Sequence, residues 1–218
     1  MELYIRFIVG LVITYLICGV PFALVIGKLF FETDPREYGS GNLGATNTFR
    51  VLGARAAILV LFLDALKGFV AVMIMRALLH PVLGAQGAPD WALMSTLLVA
   101  VLGHVFSPYI RFKGGKGVAT TAGCLFAMQP VAAFICLGAF IVIVYFTRYV
   151  SLGSVVIASF YPFLVIAFYR TPMYIICAFA LAVLIIWLHR SNIARLRAGT
   201  ESKLSFSKRG SRPQKHDN

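Results

Sequence analysis

Twelve consecutive residues, Gly39 to Arg50, combine backbone freedom, short polar side chains and one guanidinium. Gly39, Gly41 and Gly44 permit positive φ and the close approach of a ligand to backbone N–H groups. Ser40, Asn42, Thr46 and Asn47 add compact hydrogen-bonding groups, and Arg50 adds a planar fork suited to carboxylate or phosphate. A polar loop joining two membrane helices is the plainer reading, but a simple connector does not need this density of Gly, Asn and Thr. The same glycines spell G-x-G-x-x-G. That fingerprint signifies a dinucleotide only after a strand within a βαβ unit, and here it follows a hydrophobic helix.

A second stretch, Lys113-Gly114-Gly115-Lys116-Gly117, places flexible backbone donors between two ammonium groups and leads into Thr120 and Thr121. It has the form of a phosphate cradle feeding a helix N-terminus. It is not a Walker A loop, and a basic loop touching lipid head groups is the alternative. His104 stands at the inner end of an apolar run, where it serves either structure or proton and phosphate chemistry. Ser40, Ser151 and Ser154 are candidate nucleophiles or donors, with no legible Ser–His–Asp relation. The eight carboxylates are scattered, which argues against a carboxylate-built Mg²⁺ site and against the CDP-alcohol phosphotransferases. No metal site and no cofactor is expected. No His is followed five residues later by Asp, so the H-x-x-x-x-D pair of acyl-CoA glycerolipid acyltransferases is missing.

The elements that must position these groups lie in a membrane. The 218 residues are 60% hydrophobic and 13% charged, and the mean hydropathy is +0.85. Soluble domains carry about 25% charged residues. The formal charge of +12 suits orientation in the membrane, anionic lipid and anionic substrates better than nucleic acid. Cys18, Cys124, Cys136 and Cys177 lie in apolar runs without a C-x-x-C pair.

Seven apolar runs are read, at 3–27, 56–75, 91–108, 118–128, 131–147, 153–168 and 173–188. The first is broken by Pro21, and the fourth is too short to cross a bilayer comfortably. It is read as a tilted or partial span whose N-terminus points into a protein-lined cavity. Asp64 and Lys67, three apart in the second run, share a helical face, as a structural ion pair or as a pair facing the site. Seven crossings put the basic tail inside and the N-terminus outside. The loops at 28–55, 109–117 and 148–152 then share the cytoplasmic face. The fold expected is all-α and membrane-spanning, with about seven helices, one of them short, and three glycine-rich cytoplasmic loops. Residues 1–203 form one transmembrane domain, and 204–218 form a basic cytoplasmic tail expected to be disordered.

Four separated motifs in order resemble the bacterial membrane family of acyl-phosphate:glycerol-3-phosphate acyltransferases. They are Gly39–Asn47 with Arg50; Gly103–Pro108 with Phe112–Thr120; Arg148–Ser154; and His189–Leu196 with Gly199, Thr200, Glu201 and Lys203. Asp64 and Lys67-Gly68 also fit, whereas the tail after Lys203 has no counterpart. The resemblance implies transfer of a fatty acyl group from acyl phosphate to the sn-1 hydroxyl of glycerol 3-phosphate at the inner membrane. The products would be lysophosphatidic acid and inorganic phosphate. Membrane lipids would be partners, and an enzyme that makes acyl phosphate would be functionally linked.

The donor is a mixed anhydride and already activated, so positioning and charge stabilisation suffice. The residues read as catalytic are Ser40, Asn42, Arg50, Lys113, Ser151 and Asn192. Those read as holding substrate or phosphate are Gly41, Asn47, His104, Gly114, Gly115, Lys116, Gly117, Thr120, Ser154, Arg195 and Glu201. A transporter of small organic phosphates is the rival reading. It needs access from both sides, whereas these motifs gather on one.

Overall fold

The computed structural model describes residues 1–204, so residues 205–218 of the expected tail lie outside the described residues. Ten α-helices make the described chain: α1 (Glu2–Gly19), α2 (Phe22–Phe31), α3 (Ala45–Leu52), α4 (Ala54–Leu83), α5 (Asp90–Val105), α6 (Val118–Met128), α7 (Pro130–Thr147), α8 (Val150–Phe168), α9 (Pro172–Leu188) and α10 (Arg190–Arg197). α1, α4, α5, α7 and α8 are long and apolar enough to cross a membrane, and α9 with α10 makes a sixth candidate, bent by 59°. The seventh expected run is α6. At 11 residues it is about 16 Å long, short of the roughly 30 Å hydrocarbon core.

Several boundaries differ from the sequence reading. The run at 3–27 is two helices, because the residue before Pro21 is pushed out of the helical region and Val20 adopts φ −57°, ψ 119°. The loop at 28–55 contains the last residues of α2 and the whole of α3. α4 continues through Arg76 and Pro81, so the loop expected at 76–90 shrinks to the residues after Leu83. α8 starts at Val150, which places Ser151 and Ser154 in its first turns. The chain after His189 is helical as α10 rather than tail.

Small residues let the central helices meet backbone to backbone. A Cβ on Gly123 of α6 would collide with the Ala65 carbonyl of α4, and one on Gly68 would collide with the Thr120 carbonyl. A Cβ on Gly103 would stand 2.7 Å from the Tyr15 carbonyl of α1. Such close approach is how helices associate in lipid. Gly123→Leu is therefore expected to lower stability by about 3 kcal/mol through overpacking. Thermal unfolding followed by size exclusion in detergent checks this, and an unchanged midpoint would show that the helices can separate freely.

Around this contact lies a core of Val72, Leu97, Val101, Cys124, Leu125, Val165 and Leu181. All four cysteines are buried and unbonded.

Candidate active site

A cavity of about 260 Å³ opens where several helix ends meet. α3, α6 and α8 begin at it. Gly44, Ala45 and Thr46 line it from the first, Gly117, Val118 and Ala119 from the second, and Val150 and Ser151 from the third. Among the described residues no side chain caps any of these N-termini. The first N–H groups of a helix have no intrahelical acceptor, so three sets of donors and three positive dipole ends converge on one space.

Two cations join them. Arg50 sits in the last turn of α3 and donates to the Ser202 carbonyl at 3.2 Å. Lys116, just ahead of α6, donates to Asn192 Oδ1. Both line the cavity, and neither forms an ion pair among the described residues. Burial pushes the Lys116 ammonium down to about 8, against the attraction of Glu201 and helped by the repulsion of Arg195 and Arg50.

The opposite wall is organised by Glu201. Gly199 turns the chain back at φ +68°, and the Thr200 N–H donates to the Arg195 carbonyl. Glu201 then enters the site, buried at 6% exposure. Its Oε1 accepts from Ser151 Oγ at 2.8 Å and Asn192 Nδ2 at 2.7 Å, and its Oε2 accepts from Arg195 Nε at 2.7 Å. Burial alone would raise this carboxyl. The hydrogen bonds from Asn192, Ser151 and Arg195 outweigh it and hold the group below the usual carboxylate range.

A third cluster lies beneath the mouth. Lys67 Nζ stands 2.7 Å from Asp64 Oδ1, 2.9 Å from His104 Nδ1 and 2.9 Å from the Val20 carbonyl. Asp64 and His104 both reach the cavity, so the pair is at once structural and turned toward the site. An ammonium only donates, so Nδ1 of His104 accepts and the ring proton sits on Nε2.

Below these groups the cavity is apolar. Leu61, Leu125, Phe126, Leu137, Phe140 and Ile157 are among its walls. The whole is amphipathic, with a cationic, donor-rich head and a greasy shaft.

Residues 8–199 match the glycerol-3-phosphate acyltransferase family. The chain belongs to that family.

It is 46% identical over 197 residues to the glycerol-3-phosphate acyltransferase 2 of Moorella thermoacetica, covering 90% of this chain and 97% of the relative. It is also similar to the crystal structure of PlsY (YgiH), an integral membrane glycerol 3-phosphate acyltransferase, in its glycerol 3-phosphate form. There the TM-score is 0.82 at 36% identity, over 91% of this chain and 96% of that one. The lysophosphatidic acid form gives 0.80 at 35%, over 91% and 95%. This is the family to which the loop motifs pointed.

Of the residues singled out from sequence, Ser40, Asn42, Asn47, Arg50, His104, Lys116, Gly117, Ser151, Ser154, Asn192 and Glu201 line the cavity. Others do different work. Lys113 is exposed and off the cavity, although chemically the twin of Lys116. The N–H groups of Gly114 and Gly115 donate to the Val105 and His104 carbonyls, so they are not free phosphate donors. A Cβ on Gly114 would collide with the His104 carbonyl, and one on Gly115 with the His104 ring, so both glycines are needed for packing.

Asn47 is spent on the loop. Its Oδ1 accepts from Ser40 N–H at 2.8 Å, and its Nδ2 donates to the Pro35 and Tyr38 carbonyls. The Gly41 N–H donates to the Tyr38 carbonyl. Thr120 is fully buried behind the cavity, while Thr121 lines it. Arg195 holds Glu201 rather than facing the cavity.

One polar lining residue belongs to the fourth motif but is not among the site residues read from sequence. His189, at the end of α9, is buried and its Nδ1 lies 2.8 Å from the Ile185 carbonyl. A carbonyl only accepts, so Nδ1 carries the proton and Nε2 is the open nitrogen. The available signal was its place, three residues before Asn192 in the same motif.

Proposed function

We propose that the protein transfers a fatty acyl group from acyl phosphate to the sn-1 hydroxyl of glycerol 3-phosphate, in phospholipid synthesis. The observation that carries this reading is the joining of two cations, neither in an ion pair among the described residues, and three helix N-termini to an apolar shaft. Two phosphates and one acyl chain match that shape. The glycerol hydroxyl oxygen forms a bond to the acyl carbon and the carbon–oxygen bond to the leaving phosphate breaks. The hydroxyl proton passes to a phosphate oxygen.

Arg50 and Lys116, with the first N–H groups of α3 and α6, hold the phosphates and the charge that develops on the carbonyl oxygen. Ser151 and Asn192, fixed by Glu201, orient the glycerol. The neutral His104 offers an Nε2 proton, and His189 offers an open Nε2. No covalent acyl-enzyme enters this scheme, so an acyl group trapped on Ser40 would refute it.

The cavity end carries Arg36, Arg50, Arg55, Arg111, Lys113, Arg148, Arg190 and Arg197, whereas the other end carries little beyond Arg6, Arg76 and Arg170. The excess of positive charge supports a cytoplasmic cavity end, with the N-terminus on the outside of a bacterial inner membrane.

The test is phosphate release by purified protein in lipid, given acyl phosphate with and without glycerol 3-phosphate. Release that requires the acceptor and yields lysophosphatidic acid is the expected result, and folded protein that releases nothing would reject the reading. The rate should also depend on pH. Lys116 is charged below about 8 and neutral above it, so kcat/KM for the free enzyme falls as pH rises through that value. Lys116→Arg keeps its charge at every accessible pH and should move the alkaline limb upward. A limb unmoved by the substitution would assign it to another group.

A further inference from the structure

The apolar shaft has a floor, and the floor is polar. Going away from the mouth, the last cavity-lining residues are Phe126 on α6, Ala133 on α7, Tyr161 on α8 and Leu181 on α9. Below Phe126, α6 ends at Gln129, which is fully buried and precedes Pro130 at the start of α7. Tyr161, 4% exposed, donates from its hydroxyl to Gln129 Oε1 at 2.7 Å. Gln129 Nε2 is buried with no hydrogen-bond partner among the described residues. A bilayer-embedded bundle could close a greasy channel with leucine at little cost. Here it is closed by an aromatic ring tied to an amide whose remaining donor is unsatisfied.

We propose that the Tyr161–Gln129 pair is the stop that sets the length of acyl chain the enzyme accepts. The inference rests on the acyl-phosphate reading above. A chain that just reaches the ring keeps its apolar contacts. One further methylene has to displace the ring, break its bond to Gln129 and meet the bare amide. Hydrocarbon offers nothing in exchange for either polar group. The short length of α6 contributes directly, since a helix of full span would carry its C-terminal residue past the end of the cavity. Position along α8 gives the scale: Tyr161 lies ten residues beyond Ser151, about 15 Å along the axis.

The experiment compares kcat/KM for saturated acyl phosphates of stepped length, using the whole protein in lipid at saturating glycerol 3-phosphate. The wild type should show a sharp cut-off on the long side. Tyr161→Leu removes the ring and should raise the ratio of long-chain to short-chain kcat/KM by about fourfold per methylene newly accommodated. Ala133→Leu adds bulk at the same level from α7 and should shift the cut-off toward shorter donors. If Tyr161→Leu does not fold, Ala133→Leu carries the test alone.

Profiles that superpose on wild type would overturn the inference and leave the acyltransferase reading intact. Wild-type protein that turns over no acyl phosphate of any length would instead overturn the reading on which it rests.

Discussion

Arg50→Ala is expected to lower kcat/KM for acyl transfer by about 10²–10³-fold, the loss typical of removing one preorganised donor from a developing oxyanion. Among the described residues Arg50 is the one guanidinium that lines the cavity, since Arg195 is turned to Glu201. Its only hydrogen bond to the described protein is to the Ser202 carbonyl at 3.2 Å, so the truncation removes little that holds the fold. On the proposed reading, ground state and transition state both carry phosphate at this site, so KM and kcat should both worsen. Arg50→Lys should recover part of the rate, because charge remains while the planar two-pronged donor is lost. The measurement is steady-state phosphate release beside a thermal unfolding control. A variant that folds and keeps wild-type kcat/KM would assign the phosphate site to Lys116 and the helix N-termini alone.

The membrane architecture was readable because apolar runs of bilayer length leave few alternatives in lipid. The short fourth run was readable as short, and α6 has 11 residues, fewer than a bilayer core requires. α3 was not readable. Ala45–Leu52 holds Thr46, Asn47 and Thr48, poor helix formers, between Gly44 and Gly53, and the helix exists because its apolar face packs on α4. The missed helix matters to the proposed function, as its N-terminal residues Gly44, Ala45 and Thr46 line the cavity.

Residue chemistry was legible as a class and not always as a position. Lys113 and Lys116 are indistinguishable by type, yet Lys113, next to the positive-φ residues Arg111 and Phe112, is exposed, whereas Lys116 lines the cavity. Glycines carry the same ambiguity. Gly114 and Gly115 look like ligand-facing amides until the His104 carbonyl and ring are seen against them. Asn47 looks like a ligand group until its donors are found on Pro35 and Tyr38. For the glycines and Asn47 the deciding fact is a neighbour from another segment of the chain.

Glu201 is where such distant neighbours meet, and Glu201→Gln is expected to lower kcat/KM by about 10²-fold. One carboxylate accepts from Ser151 on α8, Asn192 on α10 and Arg195 on α10, and Asn192 in turn accepts from Lys116. An amide offers one acceptor oxygen and a donor NH₂. Either orientation therefore sets donor against donor, at Arg195 or at the Ser151–Asn192 pair. Asn192 would turn, and Lys116 would lose its aim at the cavity.

The wild-type network is robust to acid by sign. The carboxyl is held below its ordinary range in the folded state, so its contribution is complete above the unfolded value and fades only as pH falls through the lowered one. The Gln variant has no such transition, and its residual rate should lack that acidic limb. A positioning role also predicts coupling. Ser151→Ala alone removes one of three donors, and in the Glu201→Gln background it should cost far less than in wild type. Additive losses would mean that Ser151 acts on substrate independently of Glu201. Wild-type activity in Glu201→Gln would mean that the buried carboxylate balances the charge of Arg195 without orienting anything.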